Sequence, residues 1–167
     1  MSSPETISRL VVYTGSFDPI TLGHLNVIER ASRMFDKIIV GVGINVEKQG
    51  LFSPEERVRL VRQTTEHLSN VEVHTFTGLA VEFVRQCDAR VMIRGIRPLT
   101  DAAAEFTMML ANRELDPNIE TVFLMADARY QSIASRLVKE IARLNGDIDS
   151  FVPDEVAVAL RKKYSKS

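Results

Sequence analysis

The chain has 167 residues, of which 45% are hydrophobic and 26% charged, a composition typical of a folded globular domain and not of a disordered segment. Its formal net charge of -1 provides no overall attraction to nucleic acid, and its single cysteine, Cys87, excludes an internal disulfide and a multi-cysteine metal site. No apolar run approaches the roughly 18–20 residues that cross a bilayer. We therefore expect a cytoplasmic protein of one domain, 1–167, with polar ends at 1–8 and 162–167 that fray.

Short apolar runs alternate along the chain with segments of helical periodicity. Strands are predicted at Leu10–Tyr13, Lys37–Ile44, Val71–Phe76, Val91–Ile93 and Thr121–Met125. Helices are predicted around Leu25–Phe35, from Ser53 to Leu68, at Leu79–Cys87, at Ala102–Leu115, from Ile133 to Leu144 and from Pro153 onward. The strands are rich in Val and Ile and show little polar alternation, which is typical of a parallel sheet covered on both faces.

This order predicts an α/β fold. A strand-helix unit occurs five times, and one further helix follows. Because crossovers between parallel strands are right-handed, the order favours a doubly wound, Rossmann-like sheet of five parallel strands with helices on both faces and an appended C-terminal helix.

Ligands of such sheets bind at the carboxyl ends of the strands, so the segments that follow the strands are the first candidates for a site. Four of the five carry glycine, hydroxyl or cationic side chains that would meet at one rim. Glycines allow close backbone approach, helix N-termini supply N–H donors, and arginine or lysine neutralises negative charge. The sequence therefore predicts a site for a polyphosphate.

The most specific pattern follows the first strand. Gly15-Ser16-Phe17-Asp18-Pro19 precedes Thr21-Leu22-Gly23-His24, which places a histidine in the first turn of a helix. A histidine there can direct a ring nitrogen at a phosphate on the helix end. A lone first-turn histidine is more often without a function, but the surrounding glycine and hydroxyl residues favour the phosphate role.

These residues resemble the [His/Thr]-x-Gly-His signature of the nucleotidylyltransferase superfamily. Ile93-Arg94-Gly95-Ile96-Arg97, Val122–Met125 and the helix 133–140 are similar to motifs of the bacterial phosphopantetheine adenylyltransferases, and the similarity runs from about Arg9 to Leu160. It implies one nucleotidylyltransferase domain that transfers the adenylyl group of ATP to 4'-phosphopantetheine in coenzyme A synthesis. It also implies Mg²⁺ held by the ATP phosphates and not by protein side chains, a homohexamer, and feedback binding of coenzyme A.

The resemblance also implies roles for individual residues. The catalytic residues that it implies are His24, Lys48 and Arg94. The acceptor site that it implies includes Ser16, Lys48, Ala80 and Arg94. Its ATP site includes Ser16, Phe17, His24, Gly95, Ile96, Arg97, Glu105, Tyr130, Gln131, Ser132, Ile133, Ala134, Ser135 and Arg136. The chain departs from the family pattern at Ala102–Ala104, at Asp127–Arg129 and at Ala134, where a serine is usual.

Other interpretations stay open on the residues alone. Arg94, Arg97, Lys48 and Glu105 could be solvated surface charges. The chain could be a nucleotidylyltransferase for another acceptor, such as nicotinamide mononucleotide, a nucleotide-binding module without catalysis, or a flavin-binding domain. The apolar stretch Phe106–Leu110 could form a face between subunits.

Overall fold

The structure, a computed structural model, describes residues 9–45, 47, 49–97 and 102–165. Five parallel strands form one sheet in the order β3-β2-β1-β4-β5. The strands are β1 (Leu10–Gly15), β2 (Lys37–Gly43), β3 (Val71–Phe76), β4 (Val91–Ile96) and β5 (Glu120–Met125). This order is that of a doubly wound sheet and confirms the predicted fold class.

Six α-helices connect and cover the strands. They are α1 (Leu22–Met34), α2 (Pro54–Thr65), α3 (Ala80–Gln86), α4 (Ala102–Leu115), α5 (Ser135–Arg143) and α6 (Asp154–Tyr164), and a 3-10 turn spans Ala128–Tyr130. Thr21 and Ser53 begin α1 and α2 with reciprocal capping boxes, and Pro54 occupies the first position of α2. Each helix start is specified by a few consecutive residues, so it could be predicted from the sequence.

Two hydrophobic layers enclose the sheet. Val11 and Tyr13 on β1 point to the layer formed with α1, α2, α5 and α6, whereas Val12 between them points to the layer that includes α3. The period of two along β1 therefore divides its side chains between both faces. The helix α4 completes the second layer through contacts with α3 and β4.

Several boundaries differ from the predicted ones, and that of β4 matters most for the site. Arg94–Ile96 were expected in a loop, but they continue β4 because β5 runs beside them, with Gly95 opposite Leu124 and Ile96 opposite Met125. The pairing of β4 with β1 extends only from Val11 to Tyr13, so the two strands are no longer paired beyond that point.

A second difference concerns the C-terminal end, where fraying is predicted from residue 162. The helix α6 continues to Tyr164. Lys163 forms a salt bridge with Glu56 (2.8 Å) and lies over the ring of Phe52, so this end is fastened to the start of α2. Residues 1–8 and 166–167 lie outside the described part of the chain.

Candidate active site

A cavity of about 360 Å³ lies at the carboxyl ends of β1 and β4, where the order of the sheet reverses. We call it the arginine cavity because its described lining residues include Arg94, Arg97 and Arg136 against a single acid, Glu105. Its wall contains most of the predicted site residues: Ser16, His24, Arg94, Gly95, Ile96, Arg97, Glu105, Tyr130, Ile133, Ala134, Ser135 and Arg136. The expected meeting of the strand-end segments at one rim is confirmed, and the excess of positive charge suits an anionic ligand.

His24 is fixed from one side by the cap of its own helix. The Thr21 N–H donates to Nδ1 (3.1 Å), and the Thr21 hydroxyl accepts from the His24 N–H (3.4 Å). Because Nδ1 accepts this hydrogen bond, the neutral ring carries its proton on Nε2. Burial, followed by the charges of Arg97 and Arg94, lowers the pKa of His24 to about 4. At neutral pH the residue therefore offers an uncharged N–H donor to the cavity.

Arg94 and Glu105 form a bidentate ion pair across the cavity wall. Arg94 Nε and Nη2 donate to the two carboxylate oxygens of Glu105 at 2.8 and 2.7 Å. Arg94 Nη1 donates to the Thr14 carbonyl (2.7 Å), so the guanidinium is held in one orientation from two sides. The two residues were predicted to contact different substrates, and the sequence did not indicate that they pair with each other.

Arg97 and Gly95 shape the neighbouring part of the wall. Arg97 Nη1 donates to the Ile133 carbonyl (3.3 Å), which joins the end of β4 to the segment before α5. A Cβ atom on Gly95 would lie 2.9 Å from the hydroxyl of Tyr13, so a larger residue there would displace this buried tyrosine. Burial raises the pKa of Tyr13 above its ordinary value, so its hydroxyl stays protonated.

Part of segment 126–136 lines the cavity, and the segment is anchored to α1 and to the first loop. Asn26 Nδ2 donates to the Asp127 carboxylate (2.9 Å), and the Asp127 N–H donates back to Asn26 Oδ1 (3.0 Å). Ser135 Oγ donates to the Pro19 carbonyl (2.8 Å). Two predicted ATP contacts lie outside the cavity wall: Gln131 donates to the Ala126 carbonyl (3.2 Å), and Ser132 is exposed.

Two further predicted residues lie elsewhere. Phe17 is buried in the core with a positive φ of 46°, and its ring packs edge-to-face with Tyr13 and His24 at centroid distances of 5.4 and 5.1 Å. Its side chain therefore supports the His24 ring and does not line the cavity. Lys48, the predicted lysine of the segment after β2, lies outside the described residues.

A second cavity of about 490 Å³ adjoins the first. We call it the apolar cavity because its wall includes Ile44, Phe76, Leu79, Ala80, Met92 and Met108. Four residues line both cavities: Thr14, Gly15, Ser16 and Arg94. Two ligands, one in each cavity, would therefore meet at a wall that carries a serine hydroxyl and a guanidinium. Ala80, predicted to contact the acceptor, lies at the start of α3 in the apolar cavity.

Two buried charged residues near this shared wall were not predicted as functional. The Asp18 carboxylate accepts hydrogen bonds from the N–H groups of Leu51 and Phe52 and from Lys139. Arg57 donates to two backbone carbonyls from the first turn of α2. Asp18 belongs to the recognised first-loop pattern and could have been noticed there, whereas nothing in the sequence distinguishes Arg57 from a surface arginine.

Within the described ranges, no group of three or more His, Cys, Asp or Glu side chains is placed to hold a metal ion. In the same part of the chain, every helix is too short or too polar to cross a bilayer.

Residues 12–141 match the model of the cytidylyltransferase-like family. A phosphopantetheine adenylyltransferase from Rhodopirellula baltica is 59% identical over 159 residues, which cover 93% of this chain and 89% of the relative. Another from Clostridium botulinum (strain 657) is 49% identical over 94% of this chain and 96% of the relative.

A solved structure also shares the fold. It is assigned as a nicotinate-nucleotide adenylyltransferase from Vibrio parahaemolyticus and aligns with a TM-score of 0.72 over 96% of this chain and 98% of its own. The two sequences are 18% identical, so this likeness supports the fold alone.

Proposed function

The chain belongs to the cytidylyltransferase-like family and, within it, to the phosphopantetheine adenylyltransferases, and we propose on this basis that it transfers the adenylyl group of ATP to 4'-phosphopantetheine. The products are dephospho-coenzyme A and pyrophosphate, in a step of coenzyme A synthesis. The observation that carries the proposal is the wall shared by the two cavities. ATP in the arginine cavity and the acceptor in the apolar cavity would bring two phosphates together at Ser16 and Arg94.

The reaction is a direct displacement at the α-phosphorus of ATP. A terminal phosphate oxygen of 4'-phosphopantetheine forms a bond to this phosphorus, while the bond to the bridging oxygen of the β-phosphate breaks and pyrophosphate leaves. The attacking phosphate is already ionised near neutral pH, so no side chain has to remove a proton. Alignment of the two phosphates and stabilisation of their charge are then the tasks of the protein.

His24 is proposed to stabilise the transition state. Its neutral ring can donate Nε2–H to an α-phosphate oxygen while Nδ1 stays bound to the Thr21 N–H. The low pKa supports this role, because a neutral donor directs its proton without requiring the ring to gain or lose charge during the reaction.

Arg94 is proposed to hold the acceptor phosphate at the shared wall. Its ion pair with Glu105 orients the guanidinium, and this assigns Glu105 to positioning the arginine in addition to lining the nucleotide site. Lys48 is proposed as a second cation on the acceptor phosphate, an assignment that rests on the family resemblance. The pantetheine arm would then extend along the apolar side chains towards Ala80 and Met108.

The triphosphate is proposed to lie between Arg97, Arg136 and the N-termini of α1 and α5. Mg²⁺ would enter with ATP as a complex with the triphosphate and neutralise part of its charge. Among the described residues of the arginine cavity wall, the carboxylate is that of Glu105, and it is engaged by Arg94; this fits a metal carried by the nucleotide phosphates better than one held by Glu105.

Assembly and regulation are proposed from the same family membership. Phe106, Met108, Leu110 and Leu115 of α4 are all about half exposed or more, which supports burial of this helix in a homohexamer. Coenzyme A shares the pantetheine arm of the acceptor, so feedback binding is proposed in the apolar cavity. The proposed compartment is the cytoplasm.

The decisive experiment incubates the purified chain with ATP, Mg²⁺ and 4'-phosphopantetheine and detects dephospho-coenzyme A by mass. Formation of this product in step with pyrophosphate would establish the function. Pyrophosphate release with nicotinamide mononucleotide, and none with 4'-phosphopantetheine, would identify another acceptor. ATP binding without release of pyrophosphate from ATP in the presence of either acceptor would identify the chain as a nucleotide-binding module.

A further inference from the structure

We propose that Asp18 and Arg57 are positioning residues that fasten both ends of segment 44–50 to the turn Ser16–Asp18, and so set the geometry of the wall between the two substrates. This inference rests on the proposed function. Segment 44–50 follows the last residue of β2, Gly43, and precedes Leu51 and Phe52 at the approach to α2. The turn Ser16–Asp18 follows β1 and contributes Ser16 to both cavities.

Arg57 fastens the beginning of the segment. Its Nη1 donates to the Ser16 carbonyl (3.0 Å) and to the Gly43 carbonyl (3.1 Å), and so joins the turn to the end of β2. The residue is 7% exposed. Its Nε is buried and lacks a hydrogen-bond partner among the described residues.

Burying a guanidinium only to fill space would be energetically unfavourable. Removing a charge from water is unfavourable, and an apolar side chain of similar volume would pack there at lower cost. What the structure gains are the two contacts of Nη1, which join the Ser16 and Gly43 carbonyls through one nitrogen. We therefore assign Arg57 to holding Ser16 and Gly43 at a set separation.

Asp18 fastens the other end of the segment. Its Oδ2 accepts from the Leu51 N–H (3.0 Å) and Oδ1 accepts from the Phe52 N–H (2.9 Å). Lys139 of α5 also donates to Oδ2 (2.8 Å), which ties the turn to the helix whose first turn lines the arginine cavity. Burial alone would raise the pKa of Asp18, but the hydrogen bonds from Lys139, Phe52 and Leu51 lower it overall, so the carboxylate stays ionised.

The two contacts together hold the shared wall from several directions. Gly43 and Ser16 both line the apolar cavity, so a change in their separation alters the place where the acceptor phosphate must sit. A misplacement of about 1 Å can lower the rate of a reaction by about a hundredfold. Loss of either contact should therefore affect use of the acceptor more than use of ATP.

The test compares R57M, R57K and D18N with R62M. Arg62 is a matched control, because it lies on the same helix and donates to a backbone carbonyl, that of Val73 (3.0 Å), away from both cavities. We expect R57M to lower kcat/KM for 4'-phosphopantetheine by about 10–100-fold, mainly through KM, with the KM for ATP within about threefold. R57K should recover part of this loss, because an ammonium group keeps the charge and can reach one carbonyl.

D18N should show the same selective rise in the acceptor KM, because the amide can accept from only one of the two N–H groups and turns an NH2 donor towards the other. R62M should leave both KM values unchanged. A folded R57M or D18N with wild-type KM for the acceptor would overturn the proposal, and so would equal rises in the KM of both substrates. Where R57M does not fold, R57K and D18N decide between these outcomes.

A second readout separates this inference from the proposed function. Hydrogen exchange of amides 44–52 should accelerate in R57K and D18N but not in R62M. Unchanged exchange would refute the fastening role whether or not the chain makes dephospho-coenzyme A. A wild-type chain that forms no product, with faster exchange in both variants, would instead refute the proposed activity while the fastening stands.

Discussion

The arginine cavity and the apolar cavity meet at one wall but are built from different chemistry. The first collects Arg94, Arg97 and Arg136 at strand and helix ends, and the second is lined largely by side chains such as Phe76 and Met108. A triphosphate requires concentrated positive charge and N–H donors, whereas a pantetheine arm requires apolar surface along its length. The two needs coincide only where the phosphates meet, so residues away from the shared wall should affect only one substrate.

The largest effect is expected from His24→Ala, next to the shared wall. Loss of one preorganised donor to a developing charge costs about 2.7–4 kcal/mol, so kcat should fall by about 100–1,000-fold. Circular dichroism should show a folded chain, because the Thr21 hydroxyl still caps α1. Steady-state pyrophosphate release measures the effect, and a fully active folded variant would remove His24 from the mechanism.

Arg94→Ala should come next and should separate the two substrates. Hydrogen bonds to charged groups contribute about 1.5–3 kcal/mol, which corresponds to a loss of acceptor affinity of about 10–100-fold. Calorimetric titration with 4'-phosphopantetheine and with ATP distinguishes the two sites. The control is Glu105→Gln, which keeps Arg94 but weakens the ion pair that orients it, and this variant should lose less acceptor affinity. An unchanged acceptor titration in Arg94→Ala would move the acceptor phosphate elsewhere.

Acidification should reveal the burial of His24 and the positive charge around it, which are properties of the arginine cavity. The pKa of His24 is about 4 in the folded chain, against an ordinary value of 6.5. Between pH 4 and pH 6.5 the unfolded chain therefore binds a proton at His24 that the folded chain does not bind. Stability must therefore fall as pH decreases through this window. Urea unfolding at pH 7 and pH 5 should show that His24→Gln removes about 1 kcal/mol of this decline. An identical pH dependence in both proteins would contradict the lowered pKa.

The smallest effect is expected from Arg136→Gln, away from the shared wall. Arg136 is exposed, and exposed ion pairs contribute about 0.2–1 kcal/mol, so the KM for ATP should rise by about two- to fivefold. The KM for the acceptor should stay constant, and higher salt should reduce the difference from wild type. A rise in the acceptor KM of the same size would mean that the two cavities do not separate the substrates as the geometry indicates.

Much of the fold and part of the site were predictable because their signals are local. Apolar runs predicted the five strands, and Ser53-Pro54 predicted the start of α2. The order of strands and helices predicted that the segments following the strands would meet at one rim. His24 was recognised from the few residues around it, since its cap and its helix are both specified within that turn.

The remaining features depend on residues that are distant in the chain. The Arg94–Glu105 pair forms only because α4 folds back onto the end of β4, and β4 reaches Ile96 only because β5 lies beside it. Gln131 and Ser132 share a motif with residues of the wall, yet the backbone after β5 directs them away from the cavity.

Hydrophobic periodicity and capping act over a few residues, and so the sequence already specifies the elements, their order and the place of His24 in the first turn of α1. Asp18, Arg57 and Lys139 acquire partners only after segments up to 121 residues apart have packed together. A hydrogen bond requires its donor and acceptor within about 3 Å, and no local pattern specifies that distance between remote segments. The orientation of the shared wall is therefore a product of packing.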